Sequence, residues 1–152
     1  MLKTKLYDTE NSVTSKEIQE TIDFLYTHLD EFGDSKEDIR KAINFSLNIS
    51  DPDSKIMPLG GFVLNGLMDN KIVCSVVVNK TGMSGYIPEN ILVYIATDSD
   101  YRGQGIGKKM MKEAIEAAEG NVALHVEPEN PARFLYEKLG FTSKYLEMRY
   151  TK

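Results

Sequence analysis

Residues 102–107 read Arg-Gly-Gln-Gly-Ile-Gly and stand between an apolar run, 91–97, and an amphipathic stretch beginning near Gly105. Three glycines in five residues at a helix start suit one chemistry well, the holding of an anion. Glycine allows φ > 0 and lets the backbone come close to a ligand. The unpaired N–H groups of a first helical turn then face the anion, and the helix dipole adds to the field. The spacing narrows the choice. A dinucleotide fingerprint needs a third glycine where Lys108 stands. A Walker loop needs a glycine at Arg102 and Ser or Thr at Lys109. Both fail, leaving R-x-x-G-x-G on Arg102, Gly105 and Gly107.

A second segment carries groups able to move protons. Residues 124–141 read LHVEPENPARFLYEKLGF. Its Tyr136 is a phenol with an ordinary pKa of ~10, on a helix face shared with Ala132, Leu135 and Leu139. Asn130-Pro131 has the form of a helix start, an Asn cap before Pro. Glu127 lies just beyond a strand. Asp98, Asp100 and Glu89 are the other carboxylates near the glycine loop. His125 alternates with Leu124 and Val126, so it faces away from them.

These two segments, in this order and about twenty residues apart, resemble the GNAT superfamily of acyl-CoA N-acyltransferases; the close match covers residues 91–141. The resemblance implies a single-domain α/β (α+β) fold over 1–152. Its central sheet is mixed, flanked by helices, with parallel, splayed fourth and fifth strands. It further implies acetyl-CoA as co-substrate, its arm paired with backbone near Ile95, Ala96 and Thr97. The pyrophosphate would lie on Arg102, Gly103, Gln104, Gly105, Ile106, Gly107 and Lys108, with Asn130 as a further contact. Lys108, Lys109 or Lys112 is placed to reach a 3′-phosphate. The reaction implied is direct attack of a primary amine on the thioester. A backbone N–H near Ile95 would stabilise the oxygen and Tyr136 would serve as general acid. Glu127 is one candidate base, and an ordered water would also serve. A GNAT-fold protein that binds CoA without catalysis is the alternative, and a different phosphate ligand is a second.

The elements that must position these groups follow from periodicity. Lys3 to Tyr7 reads as a strand. Thr14-x-x-Glu17 has the form of a capping box, and Ile18, Ile22, Leu25, Tyr26, Leu29 and Phe32 follow at helical spacing up to Gly33. Ser35-x-x-Asp38 opens a second helix, with Ile39, Ala42, Ile43 and Leu47 on one face. Residues 48–58 are a loop. Residues 62–68 and 71–78 are strands joined at Asp69-Asn70, with Asn65-Gly66 a competing turn. Residues 79–90 form a loop. A helix from Gly105 to about Glu119 buries Ile106, Met110, Ala114, Ile115 and Ala118 and ends at Gly120. Residues 122–126 form a strand parallel to 91–97. Gly140 ends the last helix, and 145–151 reads as a final strand. Eleven residues follow Phe141, fewer than the family's usual two strands and loop. The wall they build at the acceptor site is thus open or filled by another subunit, and a homodimer is one expectation.

Composition sets outer bounds. The chain has 152 residues, 41% hydrophobic and 27% charged, with net charge −5. One domain with a sizeable core is the expectation. Residues 1–60 carry 7 basic and 12 acidic groups, and the remainder balance. That excess argues against a nucleic-acid surface. It would attract a cationic amine, and it is also what solvated helix faces carry. Cys74 is the only cysteine and His28 and His125 the only histidines, a poor basis for a metal cluster. The lone cysteine, the absence of an apolar leader and the absence of a membrane-length run point to a cytoplasmic setting and no membrane partner.

Overall fold

The computed structural model describes all 152 residues. The elements are β1 Lys3–Tyr7, α1 Ser15–His28, α2 Lys36–Ser46, β2 Gly61–Met68, β3 Lys71–Lys80, β4 Asn90–Thr97, α3 Ile106–Ala117, β5 Val122–Leu124 and α4 Ala132–Lys138. One five-stranded sheet has the order β1-β2-β3-β4-β5. It is antiparallel up to β4, and β4 and β5 are parallel, giving the expected mixed α/β architecture. None of the helices is long and apolar enough to cross a membrane.

Local chemistry explains most boundaries. Thr14 Oγ1 accepts from the N–H of Glu17 and Glu17 Oε1 accepts from that of Thr14, both at 3.1 Å, closing the capping box. Glu17 also takes Lys5 Nζ at 2.7 Å and the Tyr7 hydroxyl, so this cap ties α1 to β1. Ser35 caps α2 through the N–H of Asp38. Asp69 and Asn70 both take positive φ, 50° and 62°, the twist a two-residue hairpin requires. The competing Asn65-Gly66 lies inside β2. There the buried Asn65 amide bonds Thr21 and Ser75, and a Cβ on Gly66 would meet Met110 Sδ at 3.0 Å.

The sheet separates two cores. One face packs α3 and α4, with Leu64, Val76, Met110 and Tyr136. The other packs α1 and α2, with Ile22, Leu25, Ile39 and Val77. Several expectations need correction. Tyr26 is exposed and Phe24 takes its place in the core, because Phe24 lies nearer the Ile22–Leu25 stripe that meets the sheet. Helix α1 stops at His28 rather than near Gly33. Asp30 takes φ 51° there, and a single 3-10 turn follows. Helix α3 ends at Ala117, and β3 runs on to Lys80. Met111 is buried where Ile115 was expected. Strand β5 has three residues instead of five, and residues 145–151 form no strand. That segment has no neighbour to complete a ladder, and an unpaired strand leaves its backbone groups unsatisfied.

Candidate active site

A single extra residue in β4 shapes the site. Pairing between β3 and β4 shifts register at Val77/Val78, leaving Val93 without an opposite number. The consequence is visible in two hydrogen bonds. The Asn90 N–H donates to Asn121 O on the β5 side, and the Asp98 N–H donates to Val73 O on the β3 side. Strict alternation would send both the same way, since both positions are even. The bulge reverses the parity. Beyond it, Tyr94, Ala96 and Asp98 face β3, and the N–H and C=O of Ile95 and Thr97 face away.

On that side β5 has already left. Its register with β4 stops at Leu92–Leu124, so Ile95 and Thr97 line a gap between parallel strands. Of the three strand residues expected at the cofactor, Ala96 is the exception. Its backbone is turned to β3 and its side chain lies in the core under α1 and α2.

The glycine loop stands at the same end of β4. Asp98 Oδ1 accepts from the Asp100 N–H at 2.9 Å and opens a 3-10 turn. Gly103 and Gly105 follow at φ 78° and 76°, and an added Cβ at either meets nothing within 4 Å. Glycine is required there for its φ rather than for space. The first α3 hydrogen bond within the chain runs from the N–H of Lys109 to Gly105 O, and none of the N–H groups of residues 103–108 meets an acceptor. No acidic side chain stands in the first turn of α3. Arg102, Gln104 and Lys108 are exposed, and neither Arg102 nor Lys108 has a carboxylate partner. Ile106 is buried and contributes its amide alone. Unpaired donors, the positive helix end and a free guanidinium suit a pyrophosphate.

Helix α4 closes over this corner. A Cβ on Gly107 would lie 3.4 Å from Leu135 and 3.6 Å from Thr97 Oγ1, so α3, α4 and β4 meet there. The next residue, Tyr136, is 7% exposed and stacks on Phe141 with ring centroids 6.1 Å apart. Its hydroxyl has no partner within the chain, yet no buried polar side-chain atom goes unpaired, so the oxygen reaches the surface. Burial, and then the nearness of Cys74, push this phenol up to about 12. Burial likewise raises the Cys74 thiol to about 11. Both stay protonated at neutral pH. Asn130 Oδ1 accepts from the Ala132 N–H at 3.0 Å, but α4 begins at Ala132 with Pro131 as its cap and no side-chain cap bond, so Asn130 stands one residue before the cap it was expected to be. Glu127 and His125 are exposed with no side-chain partner.

Sequence reading missed one pair. His28, at the end of α1, places Nε2 3.9 Å from Asp98 Oδ2; its ring lies 4.4 Å from that of Phe24. Each of the pair is about one-fifth exposed. They come from distant segments, and no local spacing links them. Nearby on the same sheet face, the Tyr94 hydroxyl donates to Asp34 at 2.5 Å. Burial, then Asp34, raises its pKa. A cavity of about 350 Å³ also opens at the opposite end of β4, beside Lys80, Glu89 and Glu119, away from this constellation.

The splayed parallel strands, the free amides of the glycine loop and the helix over them define an acyltransferase architecture. Residues 62–143 match the family described as Acetyltransferase (GNAT) domain. The chain belongs to the GNAT acetyltransferase family. Solved structures agree on the fold. A GNAT family acetyltransferase from Streptococcus pneumoniae TIGR4 is 19% identical, with 100% of this chain and 98% of that one covered at TM-score 0.68. The ribosomal-protein-S18-alanine N-acetyltransferase from Escherichia coli is 17% identical, with 95% and 80% covered at TM-score 0.65. An aminoglycoside N-acetyltransferase solved in complex with CoA is 11% identical, with 100% and 96% covered at TM-score 0.66. No curated protein matches the chain.

Proposed function

We propose that this protein transfers an acetyl group from acetyl-CoA to a primary amine by direct attack. The observation that carries this reading is the parity reversal at Val93. It turns the amides of Ile95 and Thr97 into the gap beside the unpaired amides of residues 103–108. The pantetheine arm would lie along Ile95 and Thr97. The pyrophosphate would lie on Arg102, Gly103, Gln104, Gly105, Ile106, Gly107 and Lys108. Bound acetyl-CoA supplies the activated acyl group.

The Ile95 N–H is the donor for the charge that develops on the carbonyl oxygen. Tyr136 meets the departing sulfur. A phenol near 12 is a weaker acid than a free thiol at ~8.5. It therefore stabilises the thiolate chiefly by donating a hydrogen bond.

The acceptor arrives protonated, at a pKa of ~10.4 for an alkylamine, and must lose a proton. Of the carboxylates expected nearby, Asp98 is the one beside a histidine. His28 with Asp98 stands on the α1–α2 face and Tyr136 on the α3–α4 face. Base and acid thus stand on opposite faces of the sheet, which keeps the group that takes the amine proton apart from the group that meets the sulfur. Glu127 has no such partner and is assigned the outer rim. Asp34 and Asp98 make this side suitable for a cationic amine.

The test is acetyl-CoA turnover with a panel of amines. Tyr136→Phe should lower kcat by ~10²–10⁴-fold with CoA affinity unchanged. His28→Gln should lower kcat/KM at neutral pH and recover as pH rises and free amine accumulates. Cofactor binding without turnover on any amine would leave a CoA-binding, non-catalytic protein.

A further inference from the structure

The cavity at the far end of β4 lies outside everything the transfer reaction uses. It holds about 350 Å³, within the ~300–1,000 Å³ of small-molecule sites. Asn90 opens β4 there and Thr97 closes it at the gap. The strand between them spans about 23 Å at ~3.3 Å per residue. An acetyl group held at the gap does not reach that far, so the cavity is not the acceptor site of the same chain.

Its walls are built by bonds within the chain. The buried Asn90 donates through Nδ2 to Glu119 O at 2.8 Å and to Asn121 O at 3.2 Å. Glu89 Oε2 accepts from the Asn121 N–H at 3.2 Å and lies over Gly120, where an added Cβ would collide with it. These bonds fix the turn from α3 into β5 as one wall. The loop 81–89 is the other. Thr81 closes its base, the N–H donating to Glu89 O at 2.9 Å and the hydroxyl to Pro88 O at 2.7 Å. Gly82 packs on Leu59, and a Cβ there would lie 2.8 Å from Leu59 Cδ1.

The lining is chemically divided. Lys80, Glu89 and Glu119 bring one positive and two negative groups to the space. None of the three forms an ion pair within the chain. Leu59 and Met83 bring apolar surface, 51% and 39% exposed. A simple anion would face two carboxylates, and a simple cation would face Lys80. No third carboxylate, histidine or cysteine completes a metal site. A molecule with an ammonium and a carboxylate on one carbon, and an apolar group beyond it, answers every part of the lining through charge-assisted hydrogen bonds.

We infer that this cavity binds a free amino acid with an apolar side chain. The ammonium lies on Glu89 and Glu119, the carboxylate on Lys80 and the side chain against Leu59 and Met83. The site is separate from the gap, and the inference does not depend on the transfer reaction.

Calorimetric titration with L-leucine and L-methionine tests it, on the parent chain and on Lys80→Met and Glu119→Gln. Neither replaced side chain makes a hydrogen bond in the chain, so both variants should match the parent by circular dichroism and melting. Three truncated compounds probe the same contacts from the ligand side. Leucinamide lacks the carboxylate, 4-methylpentanoate lacks the ammonium and glycine lacks the side chain. The expected result is saturable binding of leucine or methionine by the parent, weakened about tenfold or more in each variant, as for one hydrogen bond to a charged group. Each truncated compound should bind the parent more weakly by a similar factor. A folded parent that binds neither amino acid overturns the inference. So does binding undiminished in either variant, or leucinamide bound as well as leucine, which would place the amino acid at another site.

Discussion

The hydroxyl of Tyr136 ends at the surface while its ring is buried among Met110, Val76 and Phe141. That division gives the residue two separable signatures. One is kinetic and is set out above. The other concerns stability. The folded state holds the phenol at about 12 against the ordinary phenol value of 10.0, so it binds the proton more tightly than the unfolded chain does. The sign follows from linkage. The contribution is fully present below pH 10 and is lost as pH rises through 12. Thermal melts of the parent should therefore fall across that window, and those of Tyr136→Phe should fall less. Equal slopes would mean that the ring is not buried as described. The positive φ of Gly103 and Gly105 was legible because that requirement is written in residue type. The pairing of His28 with Asp98 was not, since it arises only when α1 and the end of β4 are folded together.

At the scale of elements, the bulge in β4 is the decisive feature. The run 91–97 is apolar throughout, so no alternation in it reveals where the parity changes. Existence of the strand was readable and its break was not. Deleting Val93 should remove the bulge and leave residues 94–97 opposite the same β3 partners, with the amides of Ile95 and Thr97 still in the gap. The outcome expected is retained acetyl-CoA binding, read by calorimetry, in a chain whose helical content by circular dichroism is retained. Loss of binding in that folded chain would show that the orientation of these amides is not what the strand supplies.

The first helix offers a second test. Hydrogen bonds from Lys5 and then Tyr7 hold the Glu17 carboxyl down to about 2, against 4.5. A depressed carboxylate stabilises the fold above pH 4.5, and that support is lost as pH falls through 2. Glu17→Gln should be less stable than the parent at neutral pH and closer to it at pH 2. The capping box was readable from Thr14 and Glu17. Its link to Lys5 and Tyr7 was not, because β1 reaches α1 only in three dimensions.

For the whole molecule, the order of elements along the chain and the parallel pairing of β4 with β5 followed from helix and strand periodicity. The full sheet order and the division into two cores did not. The family resemblance held over the half of the chain that carries the loop and α4. The expected final strand did not form within one chain. A strand is a property of a pair, and residue pattern alone cannot say whether the partner is the same molecule. The neighbours in fold act on a ribosomal-protein alanine or on aminoglycosides by their names, and at 17% and 11% identity they do not assign an acceptor here. The cofactor end of the site is more sharply defined. Calorimetric titration with acetyl-CoA of the parent, Arg102→Ala and Gly105→Val is the most direct measurement. Arg102→Ala removes the guanidinium, and Gly105→Val forces a β-branched residue to φ 76°, a conformation it strongly resists. Binding by the parent in the micromolar to millimolar range usual for enzyme substrates, weakened in both variants, is the result expected. A folded parent that takes up no acetyl-CoA, or variants that bind as well as the parent, would contradict the assignment of the glycine loop and the transfer reaction built on it.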